Sequence, residues 1–170
     1  IGGGVIINGK IYRGFNFVAG EIGHMLVQKN GPKWGCGKKG CFEALARRTA
    51  IVNNIIYDVK NLKKKSVLAD LIKSNQRIKS GALKNAIDKK DKVVINRITK
   101  ACETIGDVLG SVCNLMNFDM IVLGGGVIEA LGDFMMPIIK EEFHNHVFDA
   151  AEKGVKIVAS KLGDDAAIYG

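Results

Sequence analysis

Three residues with metal-ligating side chains lie in a short glycine-rich part of the sequence, GHMLVQKNGPKWGCGKKGCFE. His24, Cys36 and Cys41 offer one imidazole nitrogen and two thiolates, which are atoms that zinc prefers. A structural zinc site takes four such ligands, and the position where another cysteine would complete the set holds Trp34. Two interpretations stay open. One is a zinc site completed by water, a backbone group or another side chain; the other is two free thiols in a glycine turn.

Carboxylates flank this loop on both sides, with Glu21 before it and Glu43 after it. A carboxylate accepts hydrogen bonds in a planar fork, which suits the recognition of sugar hydroxyl groups. The alternative is structural, with Glu43 capping a helix and Glu21 adding only surface charge. If this segment ends a strand, Glu21 and His24 face opposite sides, unless Gly23 relaxes the alternation.

Two glycine triplets adjoin predicted strands and form a second group of candidate binding residues. Glycine lets the backbone approach a nucleotide closely, and free amides there can donate to anionic oxygens. Neither triplet continues into the Gly-Lys-Ser/Thr of a P-loop, and neither fits the G-x-G-x-x-G dinucleotide pattern. Each triplet alone is compatible with a tight turn, whereas the pair in one α/β unit raises the expectation of nucleotide binding. The first triplet is Gly2, Gly3 and Gly4, and the second is Gly124, Gly125 and Gly126.

The net charge of +8 comes from one stretch of the chain. Residues 60–100 hold 13 Lys/Arg against 3 Asp/Glu, while the rest of the chain holds 12 against 14. The stretch has no aromatic residue to stack on bases and no recognised nucleic-acid motif, so we expect no nucleic-acid partner for it. We interpret it as a solvated helical surface, with a functional basic patch as the alternative. No apolar run is long enough to cross a bilayer, and we expect a cytoplasmic protein with no membrane partner.

The elements that must position these residues begin with short strands and continue with helices. IGGGVIINGKIYRG predicts two strands around an Asn8-Gly9 turn, because Asn-Gly favours positive φ at both turn positions. Residues 25–28 predict a short strand and residues 43–59 a helix. Short basic helices are expected over residues 60–92. A long amphipathic helix comes next, with Cys102 and Cys113 as core residues.

The remaining third of the sequence alternates between strand and helix. FDMIVL predicts a buried strand, GGGVIEAL the turn into a helix that extends through Phe143, and VKIVAS another strand. LGDDAAIYG predicts the start of a further helix. This order is typical of an α/β protein. Because the sequence enters a glycine triplet directly from Ile1, we expect one lobe of a larger protein that lacks an N-terminal part.

Together these residues resemble the ROK family of repressors, open reading frames and sugar kinases. The match runs from IGGGVIINGKIYRG through AGEIGH and CGKKGCFEALARRTA to IVLGGGV and LGDDAAIYG, in the family's order. It spans essentially the whole chain, although the lysine-rich middle carries little of it. AGEIGH followed by CGxxGCxE at this spacing is highly specific.

The resemblance implies an α/β fold of the actin-like ATPase (ribonuclease H-like) class, with this chain as the C-terminal lobe of a two-lobed sugar kinase. Within a single domain over residues 1–170, it implies a glycine-rich phosphate loop followed by a sugar and zinc loop over residues 20–43. A helical stretch over residues 44–116 and a nucleotide-side strand–GGG–helix unit over residues 118–170 complete the lobe. The first glycine triplet then belongs to a phosphate loop, and the second lies near the adenosine of the nucleotide.

The resemblance also assigns roles to individual residues. It implies that Glu21, His24 and Glu43 contact the sugar hydroxyls, and that His24, Cys36 and Cys41 bind zinc. Trp34 replaces the family's first loop cysteine, so we expect zinc to be substoichiometric or labile. The catalytic aspartate of the family is expected upstream of Ile1, so this chain holds no catalytic residue and is inactive alone.

These expectations combine into one function and one alternative. The function is ATP-dependent phosphorylation of a hexose, glucokinase-like, with ATP, Mg²⁺ and a structural Zn²⁺ as cofactors. The alternative is the sugar-sensing effector domain of a ROK transcriptional repressor. By analogy with the family, we expect a homo-oligomer, either a dimer or a tetramer.

Overall fold

Two separate two-stranded sheets and a group of helices make up residues 1–160, the part of the chain that this computed structural model describes. A 3₁₀ turn covers Ile22–His24. The predicted helix beginning within LGDDAAIYG lies outside the described residues. The elements are β1 Val5–Ile7, β2 Lys10–Tyr12, α1 Phe42–Ala46, α2 Arg48–Lys60, α3 Ala69–Lys73, α4 Ser80–Asp88, α5 Lys92–Met116, β3 Met120–Leu123, α6 Gly126–His146, α7 Asp149–Glu152 and β4 Lys156–Ala159.

The first sheet is the predicted hairpin. β1 and β2 pair in the antiparallel sense, and Asn8 and Gly9 between them have φ values of 52° and 72°. The predicted strand over residues 25–28 is wrong, because only a single bridge joins Leu26 to Cys41. The chain enters α1 directly after Cys41, so it offers no extended partner with which a longer ladder could form.

The hydrophobic core surrounds α5, which contacts α1, α2, α4, α6 and α7. The predicted apolar face of this helix is buried, and Cys102 and Cys113 are both fully inaccessible core residues, as expected. The predicted helix over residues 43–59 is divided at Arg47, whose ψ of 145° ends α1 and begins α2. Neither glycine nor proline marks this break in the sequence.

The second sheet pairs β3 with β4 in parallel, with Ile121 opposite Ile157. The prediction that β3 is buried is wrong for one of its faces, because Met120 and Val122 are 48% and 56% exposed. Parallel strands are usually covered on both faces. Here the helices cover the face of Ile121 and Ile157, so the alternate side chains of β3 remain accessible.

The lysine-rich residues 60–100 cover the end of α2, α3, α4, the start of α5 and the loops between these helices. Every lysine in this stretch is exposed, which supports the interpretation as a solvated helical surface. Among the cations of residues 60–100, only Arg97 is partly buried, and it binds Asp58, as the exposed Lys64 also does. No helix within residues 1–160 is long and apolar enough to cross a membrane.

Close contact between α5 and α6 depends on Gly106. A Cβ atom at this position would lie 2.5 Å from Glu142 Cβ and 2.9 Å from the backbone nitrogen of Phe143. We therefore expect Gly106→Ala to push the helices apart and to lower the free energy of unfolding by about 1–3 kcal/mol. Urea unfolding of the whole protein measures the change.

Gly132 on α6 provides the matched control for that substitution. A Cβ atom there would have no neighbour closer than Ile128 Cγ2 at 3.9 Å. Gly132→Ala should therefore only gain helix propensity and raise stability by up to about 1 kcal/mol. Equal changes in the two variants would show that packing at Gly106 does not limit the distance between the helices.

Candidate functional site

The two loop cysteines are held by a loop that returns to its own start. We name residues 25–41 the Cys loop. At its base the amide of Phe42 donates to Met25 O at 2.8 Å and the amide of Val27 donates to Gly40 O at 2.9 Å. Nearer its tip, Lys33 bridges to Lys39. These backbone hydrogen bonds close the loop on itself and hold its two ends together.

The Cys loop brings His24, Cys36 and Cys41 together, so that their ligand atoms all lie within 4.8 Å of one another. The two sulfur atoms are 3.7 Å apart. Tetrahedral zinc with Zn–S bonds of about 2.3 Å needs sulfurs about 3.8 Å apart, so the pair fits the ion. The indole nitrogen of Trp34 is a donor without a free lone pair and cannot be the fourth ligand. Zinc binding by these three residues stays a prediction.

The two thiols of this group differ in acidity. A hydrogen bond from the backbone of Lys38 lowers the pKa of Cys36, and the neighbouring His24 and Cys41 act in the same direction. Burial raises the pKa of Cys41, and so does its proximity to Cys36. Because Cys36 is also exposed, it is the more reactive of the two.

Thiol labelling should separate the four cysteines of the chain. At neutral pH without metal, we expect iodoacetamide to modify Cys36 first, because the thiolate is the nucleophile. Burial raises the pKa of Cys102 to about 12, so Cys102 should react only after denaturation. Peptide mapping by mass spectrometry measures the order. Zinc, but not magnesium, should slow labelling of Cys36; rapid labelling of Cys102 in the native protein would contradict the buried assignment.

His24 and Glu21 lie on the same side of the chain, contrary to the expectation for a strand. Ile22–His24 is a 3₁₀ turn, in which residues three apart are aligned, and Glu21 is its N-terminal flanking residue. His24 Nε2 consequently lies 3.6 Å from Glu21 Oε2. Both side chains are accessible to a ligand, being 45% and 58% exposed respectively.

Glu43 is the most enclosed of the three predicted sugar-contacting residues, with its side chain 15% exposed. Its Oε1 accepts from the amino group of Ile1 and from Arg47 Nη1 at 3.2 Å, and its Oε2 accepts from Trp34 Nε1 at 3.0 Å. The amino group of Ile1, then Trp34 and Arg47, lower the pKa of Glu43. In a chain that continues upstream of Ile1, the first donor would be a peptide N–H.

These contacts exclude the interpretation in which the Glu43 side chain caps a helix. The carboxylate bonds to no helix amide, and the residue before α1 is Cys41, which makes no side-chain cap. Sequence reasoning missed Trp34 and Arg47 as partners of Glu43. The i, i+4 spacing of Glu43 and Arg47 could have indicated their pair, whereas no sequence pattern indicated the indole contact.

The first glycine triplet lies against the residues around Glu21. A Cβ atom at Gly3 would come within 2.7 Å of Gly20 O, and one at Gly20 within 2.5 Å of Gly3 O. Glycine at both positions therefore allows the two backbones to touch, and this contact sets the N-terminal segment beside the 3₁₀ turn. A Cβ atom built at Gly23 would lie 3.5 Å from Glu43 Cβ, so the turn also packs on Glu43.

The second glycine triplet belongs to a different part of the fold. Gly124–Gly126 connect the carboxyl end of β3 to the first turn of α6, and Gly125 has a φ of 94°. Ligands of α/β sheets bind beyond the carboxyl ends of the strands, and the amides of a helix N-terminus favour anionic groups. The position is therefore suited to a nucleotide, which stays a prediction.

A solved structure with the same architecture defines the class of protein. A ROK family glucokinase from Streptomyces griseus, in complex with glucose and AMPPNP, matches with a TM-score of 0.83 and 26% identity. The match covers 97% of this chain and 54% of that chain. The fold is that of ROK sugar kinases, the actin-like ATPase class, as the sequence implied.

The chain belongs to the ROK family, whose model matches residues 1–170. A glucokinase of Halalkalibacterium halodurans is 30% identical over 171 residues, which are 100% of this chain and 51% of the relative. A putative xylose repressor of Caldicellulosiruptor sp. is 27% identical over 172 residues, which are 100% of this chain and 42% of that relative. The chain thus spans about half the length of the curated relatives it matches.

Proposed function

We propose that the whole protein is an ATP-dependent hexose kinase, glucokinase-like, and that this chain is its C-terminal lobe. The observation that carries the proposal is Glu43, a carboxylate with both oxygens fixed, packed beside the turn that presents Glu21 and His24. A sugar offers neighbouring hydroxyl groups to such a set of acceptors. The glucokinase relative and the structure containing glucose and AMPPNP support the same assignment.

In this proposal Glu21, His24 and Glu43 bind and orient the sugar. Fixed polar groups favour the correct sugar because a wrong one leaves them without partners. An aspartate in the upstream lobe would accept the proton of the reacting hydroxyl, so this chain positions the acceptor and does not catalyse the transfer alone. Closure of the two lobes would exclude water, which otherwise competes with the sugar for the phosphoryl group.

The glycine triplets would hold the nucleotide in the same proposal. Amides of Gly2–Gly4 would donate to phosphate oxygens, and Gly124–Gly126 would let the backbone approach the adenosine closely. Mg²⁺ bound with ATP would offset negative charge on the transferred group. The placement of the second triplet at the carboxyl end of β3 supports this role.

Zinc would have a structural role here. His24, Cys36 and Cys41 would hold it, with water in the remaining position, and the ion would orient His24 and brace the Cys loop. The fit of the sulfur separation supports the site. With only three protein ligands, we propose that the ion is labile or substoichiometric, which metal analysis of the purified protein tests.

The second candidate is the sugar-sensing effector domain of a repressor. The observation in its favour is the putative xylose repressor of Caldicellulosiruptor sp., whose match covers 100% of this chain and 42% of the repressor. A sensor would use the same sugar contacts without needing to transfer phosphate. The two candidates therefore share Glu21, His24 and Glu43, and they differ in whether the bound sugar is phosphorylated or only detected.

A coupled assay of ADP release from the full-length protein separates the candidates. ATP and Mg²⁺ would be supplied with glucose, mannose, N-acetylglucosamine, N-acetylmannosamine or fructose in separate samples. Turnover with one of them establishes the kinase and identifies its sugar. No turnover, combined with a sugar-induced rise in melting temperature, would support the sensor instead and direct the next experiment to DNA binding.

A further inference from the structure

Trp34 has contacts that a residue merely substituting for a cysteine would not need. Its Nε1 lies 3.0 Å from Glu43 Oε2, within the normal range for a hydrogen bond to a carboxylate. The indole nitrogen can only donate. The contact therefore fixes one oxygen of Glu43, and the indole nitrogen has no free lone pair with which it could bind a metal.

The indole is itself held in place. The amide of Trp34 donates to Lys38 O at 3.0 Å, and the amide of Gly37 donates to Trp34 O at 2.9 Å, so residues 34–38 form a closed turn. The guanidinium of Arg47 lies 5.5 Å from the centroid of the Trp34 ring, a distance at which the two attract. Because a tryptophan side chain has few rotatable bonds, holding its ring in this orientation costs little conformational entropy.

Arg47 completes the support from the opposite side of the carboxylate. Its Nη1 donates to Glu43 Oε1 at 3.2 Å, while its guanidinium lies within cation–π distance of the indole. Trp34, Arg47 and Glu43 thus form a closed cluster in which each member contacts the other two. None of these contacts involves His24, Cys36 or Cys41.

We infer that Trp34 is a positioning residue that orients Glu43 for the sugar, so that this function of the Cys loop does not depend on a bound metal. The inference rests on the proposed function, in which Glu43 contacts the sugar. The inference gives a reason for a tryptophan two positions before Cys36, where a cysteine would supply a metal ligand. Trp34 supplies a hydrogen bond to Glu43 in place of that ligand.

The test uses the full-length protein and the sugar that it binds. Trp34→Phe keeps an aromatic ring for Arg47 but removes the N–H, and it should raise the sugar KM about 10-fold to 100-fold with kcat changed much less. Trp34→Cys should instead complete a four-ligand set, raise the zinc content towards one ion per chain and make the sugar KM sensitive to a chelator. In the wild-type protein, chelation should raise the KM less than Trp34→Phe does.

Fluorescence gives a readout of the same contact that does not depend on turnover. Trp34 is the single tryptophan of this chain. Sugar binding should therefore change the emission of the full-length protein, and the difference spectrum against Trp34→Phe isolates the contribution of this residue. The same comparison applies if the protein proves to be a sensor.

The outcomes separate the inference from the function on which it rests. If no sugar supports turnover or raises the melting temperature of the wild-type protein, the proposed function fails and the inference fails with it. If a sugar binds but Trp34→Phe leaves its KM or Kd unchanged, only the inference is overturned. It is also overturned if chelation of the wild-type protein weakens sugar binding as much as Trp34→Phe does.

Discussion

Replacing Glu43 by glutamine in the full-length protein is expected to lower kcat/KM for the sugar by about 100-fold to 1000-fold, or about 3–4 kcal/mol. The substitution keeps the shape of the side chain but removes its charge. It also places an amide NH₂ where Glu43 now accepts from Trp34 on one oxygen and from Arg47 on the other. Whichever way the amide turns, one donor faces another donor, so the side chain loses its orientation.

The matched control is Glu141→Gln, which makes the same chemical change on the exposed surface of α6. No residue within the described part of the chain pairs with its carboxylate. The kcat/KM of the Glu141→Gln variant should equal that of the wild-type protein in the coupled assay. Unchanged kinetics in Glu43→Gln would remove Glu43 from the sugar site and with it the main support for the hexose kinase.

The candidate site could be predicted in part because some of its geometry is local. The order and spacing of His24, Cys36 and Cys41 suggested that they converge, and the structure brings them together. The contact of Trp34 with Glu43 could not be predicted in the same way. It depends on the turn over residues 34–38, whose conformation is set by backbone hydrogen bonds that leave no periodic pattern in the sequence.

The relation of Glu21 to His24 shows a second limit of reading the sequence alone. A strand places residues three apart on opposite faces, whereas a 3₁₀ turn aligns them. Residues 21–28 contain apolar and β-branched side chains that suit either conformation. Contacts distant in sequence, including that of Gly3 with Gly20, are consistent with the turn and lay beyond what the local pattern could show.

The fold was predictable where a single physical rule dominates. The Asn8-Gly9 hairpin results from turn geometry, and α5 results from its helical periodicity. The residue at which α5 begins was harder to predict from the sequence. It is fixed by Asp91, whose Oδ1 accepts from the amides of Val93 and Val94 while its Oδ2 accepts from Ser66 Oγ and the amide of Val67. Only the first two of these partners are local.

A buried ion pair that joins α2 to α5 was also absent from the sequence-based expectations. Asp58 has a side chain only 1% exposed and receives two hydrogen bonds from Arg97, at 2.8 Å and 2.6 Å. Lys64 Nζ lies 3.2 Å from the same carboxylate. The Arg97 hydrogen bond, with support from Lys64, lowers the pKa of Asp58. The ion pair thus links α2 to α5 through the Asp58 carboxylate, which has almost no access to water.

Arg97→Met is therefore expected to lower the free energy of unfolding at pH 7 by about 3 kcal/mol, because it leaves Asp58 buried with one weaker partner. The folded-state pKa of Asp58 lies below its unfolded value of about 3.9. The pair consequently stabilises the fold above about pH 4, and its contribution is lost as pH falls through the lowered folded-state pKa. The difference between wild type and Arg97→Met should be largest near neutral pH and shrink in acid.

Combining Asp58→Leu with Arg97→Met tests the cause of that loss. If an unpaired buried charge is responsible, removing the carboxylate as well should recover stability, because apolar residues of similar size can replace a buried pair. Urea unfolding of the three proteins between pH 3 and pH 7 provides the comparison. A double variant less stable than Arg97→Met at pH 7 would mean that Asp58 contributes without Arg97. In that case Lys64 would be the partner that connects Asp58 to the lysine-rich surface.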